Sequence, residues 1–206
     1  MNGPLDGVKV IDLSTIVSGP LAGSLLGDQG ADVIKIESPL RPDNARFMGP
    51  LRGENGALFA AANRSKRSLA LDLKKDGSKA IIYELIKNSD VIIDNFRPGI
   101  LKKLGLEYED VKKYNPRIIQ LSITGYGVDG PYSKRRVYDP LIQATAGIAN
   151  AQSIDGTPKF VKTLMCDKIT SLTAAQSVTA ALYAREKTDE GQKINLSMLD
   201  LSLIHI

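Results

Sequence analysis

Asp167 follows an apolar run, Phe160–Met165, and opens a long segment rich in Ala, Ser and Thr, Lys168–Lys187. This pattern predicts a short strand, a turn at Cys166-Asp167 and a helix. An aspartate at a helix start accepts a hydrogen bond from an unpaired backbone amide, and the helix dipole favours its ionised form by ~0.3–1 kcal/mol. Two chemistries are open to it: a plain helix cap, or a carboxylate nucleophile at the mouth of a pocket. The residues alone favour the cap, which is what most helix-start aspartates do. Other reactive types are scarce. The one cysteine, Cys166, cannot form a disulfide within this chain or build a cysteine-rich metal site. The one histidine, His205, is second from the end. Ser-His-Asp hydrolysis and histidine-ligated zinc therefore lack a histidine in the body of the chain. Carboxylates, Lys, Tyr, Ser, Thr and Cys166 remain.

The composition bounds the partners. The 206 residues are 43% hydrophobic and 24% charged, with a net charge of +4, enough for one sizeable core. The basic residues never form a run of five, and seven Tyr and four Phe with no Trp are not interleaved with Arg. An anionic small ligand suits this pattern better than nucleic acid. No apolar run reaches membrane-spanning length and no signal peptide precedes the first strand, so a cytoplasmic protein without a membrane partner is expected.

The elements that must position Asp167 read as alternating strands and helices. Val8–Leu13 is a buried strand, followed by a turn at Ser14–Pro20, a helix through about Gln29, and a second strand at Ala31–Glu37. This βαβ unit begins a Rossmann-like, largely parallel sheet with helices on both faces. The dinucleotide fingerprint is missing: the first turn carries Gly19 but no G-x-G-x-x-G. Residues 38–56 predict a long irregular loop. A helix at Gly56–Ala62, a strand at Ser68–Leu73 and an amphipathic helix at Asp76–Asn88 come next. The strand Asp90–Asp94 opens into Asn95-Phe96-Arg97-Pro98-Gly99, and ligands gather at such strand ends. A helix at Glu107–Tyr114, a strand at Arg117–Ile123, one helix at Leu141–Ala151 and a strand at Lys193–Met198 complete the pattern. A new helix begins at Leu199.

In order and spacing, the segments resemble the class III CoA-transferase family, the formyl-CoA transferase and carnitine CoA-transferase group, over residues 4 to about 200. The resemblance is carried by Pro4-Leu5-Asp6-Gly7, Ser18-Gly19-Pro20, Gly30-Ala31-Asp32-Val33-Ile34-Lys35-Ile36-Glu37 and Lys66-Arg67-Ser68 with Leu71-Asp72-Leu73. Asp94-Asn95-Phe96-Arg97-Pro98-Gly99, Ser122-Ile123-Thr124-Gly125-Tyr126-Gly127, Gly130-Pro131 and Tyr138-Asp139 complete it before Asp167. The resemblance implies that Asp167 is the nucleophile and forms an acyl anhydride and then an aspartyl-CoA thioester. That chemistry needs no histidine, because an unperturbed carboxylate (pKa about 3.9) is ionised at neutral pH. It assigns CoA contacts to Leu71, Lys74, Asn95, Phe96, Lys103 and Arg136, and the acyl site to Val17 and Tyr138. Formyl-CoA transferases carry Gln where Val17 stands and Arg where Ser38 stands, which argues against formate or oxalate specificity and leaves a dicarboxylate acceptor open. CoA enters as part of the substrate, with no tightly bound cofactor and no metal. The related α-methylacyl-CoA racemase branch uses a His-Asp pair, with the His at the position of Tyr138.

Family members are roughly twice this length and form interlocked homodimers. Residues 1–200 are therefore expected to be the N-terminal portion of the large Rossmann-like domain of a two-domain fold, with the small domain absent. A non-catalytic Rossmann-like module or an inactive fragment is the remaining alternative. Residues 201–206, Leu-Ser-Leu-Ile-His-Ile, stop within an element and match what a sequencing adapter encodes in frame. They are expected to be an artefactual tail.

Overall fold

The computed structural model describes residues 3–53 and 55–203. Its elements begin with β1 (Lys9–Asp12), α1 (Ser18–Asp28) and β2 (Asp32–Glu37). A 3-10 turn at Asn44–Phe47 and a ribbon of β3 (Leu51–Arg52) and β4 (Asn55–Gly56) fill the predicted loop. Then come α2 (Ala57–Ala62), β5 (Lys66–Ala70), α3 (Asp76–Lys87), β6 (Val91–Asp94), α4 (Ile100–Leu104), α5 (Tyr108–Val111) and β7 (Ile119–Thr124). The described chain closes with α6 (Asp139–Thr145), α7 (Ile148–Ala151), α8 (Met165–Thr188), β8 (Gln192–Ser197) and α9 (Met198–Ser202).

Six strands form one parallel sheet in the order β5-β2-β1-β6-β7-β8. The neighbouring inner strands β6 and β7 are buried along their whole length, as expected for a parallel sheet covered on both faces. Alternate residues feed two cores. Val10, Val33, Ile93 and Leu121 pack with Ala22 and Leu26 of α1 and Ala174, Val178 and Ala181 of α8. Ile11, Ile36 and Ile92 pack on the other face with Ile82 and Ile86 of α3. Strand order reverses direction between β1 and β6, so a crevice opens at their carboxyl ends.

The sequence reading differs from the structure in several places, among them a helix expected at Glu107–Tyr114 that is the four-residue α5. Residues 160–164 are not a strand. The Val161 N–H donates to Gln143 Oε1 at 2.8 Å, and Gln143 Nε2 reaches the Thr163 carbonyl at 3.2 Å. A buried side chain of α6 thus satisfies backbone groups that a strand would have paired. The predicted helix at 141–151 is two helices, α6 and α7, parted at Gly147, which has a φ of 86°. β5 spans Lys66–Ala70, two residues earlier at its start and three at its end than expected, because its backbone pairs with β2 from Val33 opposite Lys66 to Glu37 opposite Ala70. Finally, α8 begins at Met165 with Leu164 in the capping position, so Asp167 lies within the first turn and does not cap α8. The proposed tail at 201–206 and His205 fall partly or wholly outside the described residues. Among the described residues no helix is long and apolar enough to cross a membrane.

Candidate active site

The loop leaving β1 shapes the crevice, and buried charges hold it. Asp12 Oδ2 accepts from Lys66 Nζ at 2.7 Å, and both side chains are almost wholly buried. The other oxygen, Oδ1, accepts from the Ser14 backbone at 2.9 Å and from the Ser14 hydroxyl. Burial alone would raise the Asp12 pKa, but Lys35, Lys66 and these hydrogen bonds outweigh it and hold the carboxyl below its ordinary value. Lys35 Nζ donates to the Ser14 carbonyl and to Asp43 Oδ2. Asp43 in turn receives the Ile16 N–H at 2.9 Å. Ile16 has a φ of 71°, a left-handed conformation that a β-branched residue adopts only when its surroundings enforce it. Gly19, just inside α1, permits the loop's close return, since a Cβ there would lie 2.3 Å from Ser14 Cβ.

From the other side of the crevice, Asn95 clamps this loop. Its Oδ1 accepts from Thr15 N at 2.8 Å and its Nδ2 donates to Thr15 O at 2.7 Å. Asp94, buried at the end of β6, accepts from the Ser122 hydroxyl at 2.7 Å and from the Phe96 N–H at 3.2 Å. Burial raises Asp94 to about 6 against those two hydrogen bonds.

Asp167 faces a different environment. The Asp139 carboxylate accepts the Asp167 N–H through Oδ2 at 3.0 Å and the Gln143 amide through Oδ1 at 2.5 Å. Asp139, rather than Asp167, thus serves as the acceptor for a free amide at the start of α8. The Asp167 carboxyl is pushed up to about 7, first by burial and then by the Asp139 charge; the hydroxyl and N–H of Ser18 donate to it and pull the other way. The expectation of a carboxylate fully ionised at neutral pH is thereby corrected: the dipole of α8 is outweighed by desolvation and a second carboxylate. Ser171, one turn further along α8, ties the two helices together. Its hydroxyl lies 2.8 Å from the Ser18 carbonyl and 2.7 Å from the Asp167 carbonyl. The neighbouring Cys166 is fully buried, and burial raises its thiol pKa, so it presents no thiolate.

Two adjoining clefts open here. One, of about 480 Å³, is lined by Val17, Ser18, Asn95, Arg136, Tyr138 and Asp167 among others. The second, of about 370 Å³, is lined by Leu71, Lys74, Arg41 and Ser38 at the ends of β2 and β5. Thr15, Phe96 and Ile100 line both, so the two form one elongated groove. Of the nine residues singled out from sequence, eight therefore line the groove. Lys103 does not: it stands exposed on α4 and lines neither cleft. Asn95 does line the groove, but both ends of its amide are taken by Thr15. Gly125 lets the segment carrying Arg136 and Tyr138 close down on β7, since a Cβ there would sit 2.5 Å from Val137. Sequence reasoning quoted Ser18, Lys66 and Asp139 within motifs and gave them no role, and it missed Ser171. A lysine inside the apolar strand Asp32–Glu37 was the one local sign of buried ion pairs. Among the described residues no cluster of His, Cys, Asp and Glu is arranged to hold a metal ion.

A parallel sheet with an elongated groove at its switch point, a half-buried carboxyl group in its wall, defines an α/β protein of the doubly wound kind. Residues 5–205 match the family model described as CoA-transferase family III, and the chain belongs to that family. It is 41% identical over 203 residues to an acetyl-CoA:oxalate CoA-transferase of Acetobacter aceti, covering 98% of this chain and 52% of that protein. It is 38% identical to a succinate–glutarate CoA-transferase of Agrobacterium fabrum, covering 96% of this chain and 52% of the relative. A CaiB/BaiF family protein from Brucella suis superimposes with a TM-score of 0.93 at 40% identity, over 98% of this chain and 55% of that one. The chain spans about half the length of the curated relatives it matches.

Proposed function

We propose that the enzyme containing this chain transfers CoA from an acyl-CoA thioester to a free carboxylic acid through an aspartyl-CoA thioester on Asp167. The observation that carries this reading is the place of Asp167: a carboxyl group lining the switch-point groove, with no histidine and no thiolate beside it among the described residues. Its pKa of about 7 leaves it half ionised at neutral pH, and a carboxylate destabilised by its surroundings is the more reactive one.

The Asp167 carboxylate attacks the thioester carbonyl and expels CoA thiolate, which gives an acyl-aspartyl anhydride. The thiolate then adds to the aspartyl carbonyl and expels the donor acid. The acceptor acid repeats these steps in reverse. Phe96, shared by both clefts, offers its ring to the pantetheine arm or to adenine, while Lys74 and Arg136 offer charge to the phosphates. Leu71 contributes an apolar wall, and Asn95 fixes the loop that carries Val17. Val17 and Tyr138 border the acyl group. The relatives' names, which speak of oxalate, succinate and glutarate, support a dicarboxylic acid as acceptor. The second, smaller domain, the homodimer and the exclusion of water that a hydrolysable thioester requires belong to the same proposal. Acyl exchange by the intact enzyme tests it: Asp167→Asn should lower turnover at least ~10³-fold, and undiminished exchange would refute it.

The value near 7 at Asp167 also suits proton transfer, as in an α-methylacyl-CoA epimerase. That reading needs a second titratable group across the substrate, and Tyr138 stands where the related enzymes carry their histidine. α-Deuterium uptake from deuterated water into a 2-methylacyl-CoA, with no acceptor acid present, would favour it over CoA transfer.

A further inference from the structure

The Ser18 hydroxyl is oriented towards the group that would react. Ser18 is buried at the first position of α1, an 11-residue helix whose capping residue Val17 supplies no side-chain acceptor, and both its hydroxyl and its backbone N–H lie close enough to the Asp167 carboxyl to favour its ionised form. It lines the same cleft as Asp167. Its position is fixed from behind, because the Ser171 hydroxyl lies within hydrogen-bond distance of both the Ser18 and Asp167 carbonyls. Gly19 next to it admits the Ser14 side chain at a distance no Cβ would allow, so the start of α1 is held against the β1 exit loop. Ser18 is thus braced on two sides, at the free amino end of α1 and beside the Asp167 carboxyl.

We propose that Ser18 is a catalytic residue: its hydroxyl, together with its N–H, binds the oxygen that stays on the Asp167 carboxyl carbon while that carbon changes hands between acyl group and sulfur. The inference rests on the reading of Asp167 as the nucleophile. When CoA thiolate adds to the aspartyl carbonyl of the anhydride, the sulfur lone pair forms the C–S bond and the C=O π pair moves onto that oxygen. The negative charge then lies between the two Ser18 donors, at the amino end of α1, where the helix dipole also favours it. Collapse re-forms the carbonyl and the C–O bond to the donor acid breaks, releasing it as a carboxylate. No proton moves in either direction. A hydroxyl therefore serves here as donor alone, and no base is needed to activate it. Donors placed on the developing charge before reaction need no reorganisation during it.

Steady-state kinetics on the intact enzyme test this with Ser18→Ala, Ser18→Thr and Asp167→Asn. Losing one such donor while the backbone N–H remains is expected to lower kcat by ~10- to 100-fold, with KM for acyl-CoA changed less than about threefold. Ser18→Ala should also move the acid limb of the pH–rate profile upward, because the ionised carboxylate loses a donor. Ser18→Thr, which keeps a hydroxyl, should recover most of the rate and the original limb. A kcat and pH profile for Ser18→Ala equal to those of the unaltered enzyme would overturn the inference. So would equal losses in the Ala and Thr variants, which would mark a packing effect. If Asp167→Asn retains full turnover, the nucleophile reading fails instead, and the two failures are thereby told apart.

Discussion

The two sets of buried charges beside the groove are built on opposite plans. Under the β1 exit loop, Asp12 and Asp43 meet Lys66 and Lys35, and their remaining oxygens accept from backbone amides. At the start of α8, Asp167 meets a second carboxylate, Asp139, and only the donors of Ser18 oppose the repulsion. The first set holds Asp12 below its ordinary pKa; the second drives Asp167 above it. Charge matched by charge fixes the strained backbone at Ile16 and gives the groove its shape. Charge set against charge leaves a group ready to accept a bond. The fold thus pairs its buried charges on one side of the crevice and opposes them on the other.

That contrast predicts effects of different size and opposite sign. Lys66→Ala would strand the Asp12 carboxylate in the interior, and breaking a buried pair from one side costs ~3–5 kcal/mol. Chemical denaturation at pH 7 should show that loss, and a change under ~1 kcal/mol would mean that the pair does not hold the loop. Asp167→Asn should do the reverse. The folded pKa of Asp167, about 7, lies above its ordinary 3.8, so ionisation opposes folding increasingly as pH rises from about 4 to 7. The variant should match the unaltered protein below pH 4 and exceed its stability at pH 8 by on the order of 4 kcal/mol. Equal stabilities at both pH values would remove the claim of a strained carboxylate. Arg67→Ala, which breaks the exposed pair with Asp32, should change stability by less than ~1 kcal/mol. A larger loss would show that exposure is not what separates the buried network from ordinary surface pairs.

The sheet was legible because its central strands are apolar runs separated by helical periods and turn residues, from Val8–Leu13 through Arg117–Ile123. What defeated the sequence reading was contact across distance. Phe160–Leu164 is apolar enough for a strand, yet a glutamine 18 residues earlier takes its backbone. A single glycine, Gly147, divided a helix whose composition is continuous. The place of Asp167 in the groove came through motif spacing; its pKa did not, because Asp139 lies 28 residues away and Ser18 further still. Lys103 illustrates the converse: a position matched by spacing that stands exposed on α4, beside Leu104 of the groove wall but not itself in the lining.

The central claim is that the Asp167 carboxyl becomes covalently acylated and then thioesterified during turnover. Mass spectrometry of the intact enzyme, mixed with an acyl-CoA and quenched with hydroxylamine, reads this directly. The account predicts a hydroxamate on the peptide containing Asp167, dependent on acyl-CoA. Efficient CoA transfer with that peptide unmodified, or with the label on another residue, would contradict it.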